Sequence, residues 1–130
     1  MSWNHRSFDG MQNYRRLSVW RKGHAVALNV HRLTERIPRG RNAGLIGQLQ
    51  RAALSIPANI AEGASRATDR DFAKFLQIAL ASTTEVEYHL EFAADAAIIP
   101  RSEFMLRQQE VIEVRRMLTG LVKHVRQTDR

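Results

Sequence analysis

A chain of 130 residues with 44% apolar and 25% charged side chains has the balance of one ordinary globular domain. Cysteine is absent, which excludes disulfides, thiolate metal sites and cysteine nucleophiles, and 3 prolines with 7 glycines are too few for an all-β fold of many turns. The formal net charge of +7 raises affinity for polyanions through counterion release without selecting one of them.

The first ten residues are polar and lack the apolar segment of a secretory signal, and residues 1–16 are read as a flexible arm. A first helix is expected from Leu17 to Ile37. It carries two apolar rows in three- and four-residue steps, Leu17, Trp20, Ala27 and Leu28 beside Val19, Val26, Val30, Leu33 and Ile37. Together they are wider than one core stripe requires, which points to self-association. Pro38 and Gly40 end the helix.

The second helix is expected from Asn42, with Leu45, Leu49, Ala52, Ala53, Ile56 and Ile60 apolar. The apolar phase continues across Pro57 through Ile60 to Ala64, so one kinked helix is expected rather than two, with Gly63 as a C-terminal cap. Thr68 followed by Asp71 resembles a capping box and opens a third helix of about 30 residues. Its core row is Phe72, Phe75, Leu76, Ala79, Leu80, Thr83, Val86, Leu90, Ala93 and Ala97. After Pro100 a fourth helix starts at Arg101 or Ser102, with Phe104, Val111, Val114 or Arg115, Leu118, Leu121, Val122 and Val125 inward. Short connections then give an all-α, antiparallel up-down-up-down four-helix bundle over residues 17–126, with 127–130 as a tail. No apolar run approaches the roughly 20 residues of a membrane span, so no membrane partner is expected. The cysteine-free composition fits a reducing cytoplasm.

Several runs now carry a resemblance. They are Leu17-Ser18-Val19-Trp20, Gln48-Leu49-Gln50-Arg51-Ala52-Ala53, Ser55-Ile56-Pro57-Ala58-Asn59-Ile60-Ala61-Glu62-Gly63, Phe75-Leu76-Gln77-Ile78-Ala79 and Glu85-Val86-Glu87-Tyr88. In these the chain resembles the four-helix-bundle family encoded in intervening sequences of 23S ribosomal RNA genes. The resemblance implies a bundle assembled into a homopentameric ring. A more distant similarity, to the accessory protein of diversity-generating retroelements, implies that such a ring binds nucleic acid and a reverse transcriptase. Two places depart from the family pattern. Arg39-Gly40-Arg41-Asn42 stands where a glutamate precedes the second helix, which makes the loop more basic, and Ala81-Ser82 stands where Gly-Ser is common.

Charge is uneven along the chain. Residues 1–66 carry 11 basic and 3 acidic side chains, a balance of +8, whereas residues 67–130 carry 9 and 10, a balance of −1. The basic cluster of most interest is Arg32, Arg36, Arg39 and Arg41, because guanidinium forks match phosphate geometry. It lacks interleaved aromatics for base stacking, so generic phosphate contact is expected rather than sequence reading. The acids Glu87, Glu91 and Asp95 repeat at four-residue steps, where like charges repel unless partnered. They read either as an oligomer interface meeting the basic half of the next protomer or as a face neutralised by Arg115 and Arg116. The polar row Gln48, Arg51, Ser55, Asn59, Glu62 and Arg66 on the second helix reads as a register-fixing network, a partner groove or a solvated side. Asn59 also suits a structural role, tending carbonyls that Pro57 leaves unpaired.

Enzyme signatures fail in turn. His24 and His31 lie seven apart and Glu85 precedes His89 by four, but Glu-x-x-His and His-Glu-x-x-His are missing. Phosphate-binding glycine loops and the Gly-x-Ser-x-Gly elbow are missing as well. No cofactor, metal or catalytic residue is assigned. The expected function is a non-enzymatic oligomeric scaffold binding nucleic acid, RNA or an RNA–protein complex, through arginine–phosphate contacts. The alternative is a protein-interaction ring whose basic residues serve assembly.

Overall fold

The computed structural model describes residues 13–128, so most of the expected arm and the last two residues of the expected tail lie outside the described residues. Four helices form an all-α bundle, and there is no strand among the described residues. No helix among them is long and apolar enough to cross a membrane.

Helix α1 spans Ser18–Glu35 and is preceded by a 3-10 turn over Tyr14–Arg16. The Asn13 side chain accepts the Arg15 amide and starts that turn, and Arg21 Nη1 donates to the Arg15 carbonyl. Tyr14 sets its ring edge-on to Trp20 with centroids 4.9 Å apart, and Trp20 stacks on His24 at 4.8 Å. Val19, Val26, Ala27, Val30 and Leu33 are buried, but Leu28 is 38% exposed. The expected apolar width of α1 is therefore present, and part of it faces outward.

Helix α2 spans Ala43–Ala64 and runs through Pro57 as a single helix. The amide that Pro57 lacks would have met the Ala53 carbonyl. Asn59 instead donates to the Ser55 carbonyl at 2.8 Å and the Ser55 hydroxyl at 2.9 Å, so it tends a different carbonyl from the one the proline frees. Gly63 is not a left-handed cap: it lies inside α2, and Ser65 closes the helix in the right-handed region. Its reason is close approach. A Cβ at Gly63 would lie 2.8 Å from Phe72 Cδ1, 2.9 Å from Phe75 Cβ and 3.2 Å from the Phe72 carbonyl oxygen.

Helix α3 spans Asp69–Asp95, with the Thr68 hydroxyl accepting the Asp71 amide at 3.1 Å as the expected N-cap. It ends in a Schellman turn. The Ile98 amide donates to the Ala93 carbonyl and the Ala97 amide to that of Ala94. This turn places Ala97 at φ 60°, exposed. Ala97 therefore leaves the expected core row, because the chain reverses there instead of continuing the helix. Helix α4 spans Arg101–Thr128. Val114 is 1% exposed, which settles the choice between Val114 and Arg115 in favour of the valine.

Each helix packs on two others: α2 on α3, α3 on α4, α1 on α2, and α1 on α4, which closes the set. The core they enclose contains Leu49, Ile56, Ile60, Phe72, Leu76, Leu90 and Leu118, all essentially without solvent contact. Burying each such side chain stabilises the fold by about 1.5–3 kcal/mol before conformational entropy is counted. The seams have defined partners. Gly23 of α1 lies against Ile56 and Ile60 of α2, and Ser55 of α2 meets Ser82 of α3. Glu87 of α3 meets Gln108 and Arg115 of α4. Lys22, Asn29 and Arg36 of α1 meet Glu113, Glu110 and Glu103 of α4.

Candidate nucleic-acid interface

The arginine cluster forms where α1 runs out. Arg32 lies in its last turn, Arg36 is its C-cap, and Arg39 and Arg41 follow in the loop and the 3-10 turn Gly40–Asn42. The carbonyls at a helix C-terminus carry partial negative charge, so cations are stabilised at this position whatever else they bind. All four arginines are exposed. They are not equivalent. Arg36 Nη2 donates to Glu103 Oε1 at 2.8 Å, at the start of α4. Among the described residues Arg32 reaches only Asn29 Oδ1, at 3.4 Å. Among the described residues Arg39 and Arg41 have no ion pair.

Behind Arg36 lies a network that the sequence did not announce. Arg107 is largely buried and joins Glu103 at 3.5 Å to Glu110 at 2.9 Å. Glu110 in turn accepts from Asn29 Nδ2 at 3.3 Å. Glu103 therefore has two arginines. Arg36 can turn to another anion and leave Glu103 partnered.

The polar row on α2 divides into parts. Ser55 and Asn59 are half-buried and join Ser82 of α3, whose hydroxyl donates to Ser55 Oγ at 2.7 Å and lies 3.1 Å from the Ile78 carbonyl. These signature residues fix the register of α2 against α3, and Ser82 belongs to the departing Ala81-Ser82 pair. Glu62 pairs with Arg66, whose guanidinium covers the Phe75 ring at 4.7 Å. Gln48 and Arg51 are exposed and have no such link to α3.

The acidic row is also divided. Glu87 accepts from Gln108 Nε2 at 2.7 Å and Arg115 Nη2 at 2.5 Å. The Gln108 and Arg115 bonds, with the Arg115 charge, hold its carboxyl below the usual carboxylate range against the opposing effect of burial. Asp95 pairs with Arg101 at 2.6 Å across the turn. Glu91 is exposed. Arg115, not Arg116, thus pairs with Glu87 from within the same bundle, while Asp95 takes Arg101.

The histidines are scattered. His24 and His31 line one groove with Ala27, Leu28, Gln50 and Leu54, a hollow of about 320 Å³ between α1 and α2. His89 lies 3.8 Å from Glu85. Among the described residues no three histidine, aspartate or glutamate side chains gather as a metal site would require.

No curated protein matches the chain. Among solved structures, a protein of unknown function from the S23 ribosomal protein family of Bacteroides thetaiotaomicron is similar at a TM-score of 0.74 and 26% identity, over 81% of this chain and 98% of that one. The family model for 23S rRNA-intervening sequence proteins matches residues 15–120, a span that holds the arginine cluster, the Ser55–Gly63 signature and every interhelical pair described above. The chain belongs to the 23S rRNA-intervening sequence protein family.

Proposed function

We propose that this protein is a non-enzymatic oligomeric scaffold that binds nucleic acid, RNA or an RNA–protein complex in the cytoplasm, through arginine–phosphate contacts. One observation carries the reading: Arg32, Arg39 and Arg41 stand exposed at one end of the bundle without a carboxylate among the described residues, while Arg36 shares its own with Arg107. Unpaired guanidinium groups on a surface release counterions when they meet phosphates.

The proposed assembly is a homopentameric ring of antiparallel up-down-up-down bundles. The seam pairings support the antiparallel part, since partners on α1 and α4 advance in opposite directions from Lys22–Glu113 to Arg36–Glu103. Self-association is supported by the outward apolar groove at Leu28 and Leu54, 38% and 60% exposed. A ring would repeat the arginine cluster and convert a weak contact into avidity.

The test is fluorescence anisotropy with a labelled single-stranded RNA across a salt series, alongside light-scattering mass. Binding should weaken steeply with salt. The Arg39→Ala/Arg41→Ala variant should keep its mass and lose about 0.7 of the log–log salt slope per arginine removed. Unchanged binding by that variant would reject this surface. A ring that gains no mass with RNA would favour the second reading, a protein-interaction ring, which the apolar groove also supports.

A further inference from the structure

At the other end of α4 lies a second concentration of charge. Arg70 and Lys74, one turn apart on α3, and Arg126, in the last turn of α4, line a notch of about 350 Å³ whose fourth wall is Ala73. We infer that this notch is a phosphate-binding site, separate from the arginine cluster at the α1–α2 loop.

Three features point to an anion. First, none of the three cations belongs to an ion pair among the described residues, which leaves all three donors available to an anion. Second, the arrangement is unfavourable when empty. Like charges at positions four apart on a helix repel, and Arg126 brings a third positive charge to the same notch from α4. Asp69 and Asp71 lie in the first turn of α3, but neither lines the notch. Third, Ala73 is small, so long cationic side chains rim a hollow instead of a filled surface. A phosphate there would meet three charge-assisted donors.

The experiment measures thermal unfolding of the full chain in inorganic phosphate against chloride at matched ionic strength. Phosphate stabilises proteins generically, so the decisive quantity is the part lost on substitution. Arg70→Gln, Lys74→Gln and Arg126→Gln should each weaken the phosphate-dependent shift as a roughly three- to tenfold loss of apparent affinity, and the triple variant should respond as it does to chloride. Arg126→Gln alone guards against misfolding of the triple variant. Arg39→Ala/Arg41→Ala should keep the full shift, which separates this site from the one proposed above. A short RNA lacking terminal phosphates then identifies the source. Competition with phosphate assigns the notch to the nucleic-acid backbone, and its absence assigns it to a free or terminal phosphate. Equal phosphate shifts in the parent and triple variant would overturn the site.

Discussion

The seam between α2 and α3 and the seam between α1 and α4 hold the same bundle by different physics. The first is closed by absence of atoms: Gly63 admits the Phe72 and Phe75 side chains, and Ser55 and Ser82 are small enough for their hydroxyls to meet at 2.7 Å. The second is edged by a ladder of long polar side chains, Lys22, Asn29 and Arg36 at seven-residue steps facing Glu113, Glu110 and Glu103. Seven residues is close to two helical turns, so the ladder follows one edge of the contact. A steric seam fixes register and tolerates little change. A charged, exposed edge adds little stability but can exchange its partners, and the arginine cluster lies at the end of that edge.

The largest break in this comparison should come from Gly63→Ala. Contacts under 3.0 Å to Phe75 Cβ and Phe72 Cδ1 force the helices apart, at a cost of about 1–3 kcal/mol for overpacking. Alanine returns only part of its usual ~1 kcal/mol helix advantage, because Gly63 lies in the last turn of α2. Urea unfolding should show a net loss of about 2 kcal/mol. A neutral result would mean that the seam relaxes freely.

Next comes Glu87→Gln, on the seam between α3 and α4, where a half-buried charge pair stands between the two extremes. It should cost about 1 kcal/mol at neutral pH, less than a fully buried charged bond because solvent screens it. The sign of its pH dependence is fixed. The folded-state pKa of Glu87 is depressed, so the unfolded chain binds more protons as acid is added. Its stabilisation is present above the unfolded carboxylate range and disappears as pH falls through the lower folded pKa. The stability difference between parent and Glu87→Gln should therefore shrink on acidification, and a constant difference would contradict the Arg115 and Gln108 assignment. Ser82→Ala should cost slightly less, about 0.5–1 kcal/mol, since Asn59 still donates to the Ser55 hydroxyl.

The periodic parts of this molecule were legible in its sequence. The steps of Val19 to Leu33, the phase across Pro57 and the Thr68 cap depend only on neighbours within a helical turn or two, and the helices appear where those signals place them. What was missed depends on distance between helices. Gly63 looks like a cap from its position near a helix end and proves to be a contact point once Phe72 and Phe75 are in place. The Arg70–Lys74 spacing is visible in one dimension, but Arg126 joins it only when α4 packs beside α3. Among the candidate residues, the four arginines share one end of the bundle, whereas the polar and acidic rows split according to which members reach a neighbouring helix. Periodicity assigns a face, but a partner follows from the fold.

The smallest effect should be Arg36→Ala. Arg36 is 64% exposed and its pair with Glu103 is open to water, so the loss at moderate salt should be under about 0.5 kcal/mol. Glu103 keeps Arg107, so the substitution leaves no orphaned carboxylate. Raising the ionic strength tenfold shortens the Debye length to a few ångström and should erase most of what remains, while the Gly63→Ala loss, being steric, should not shrink in the same way. If Arg36→Ala instead costs more than about 1 kcal/mol and resists salt, its chief role is to hold α1 to α4. It would then be too committed to Glu103 to turn toward a phosphate, and the nucleic-acid surface would rest on Arg32, Arg39 and Arg41.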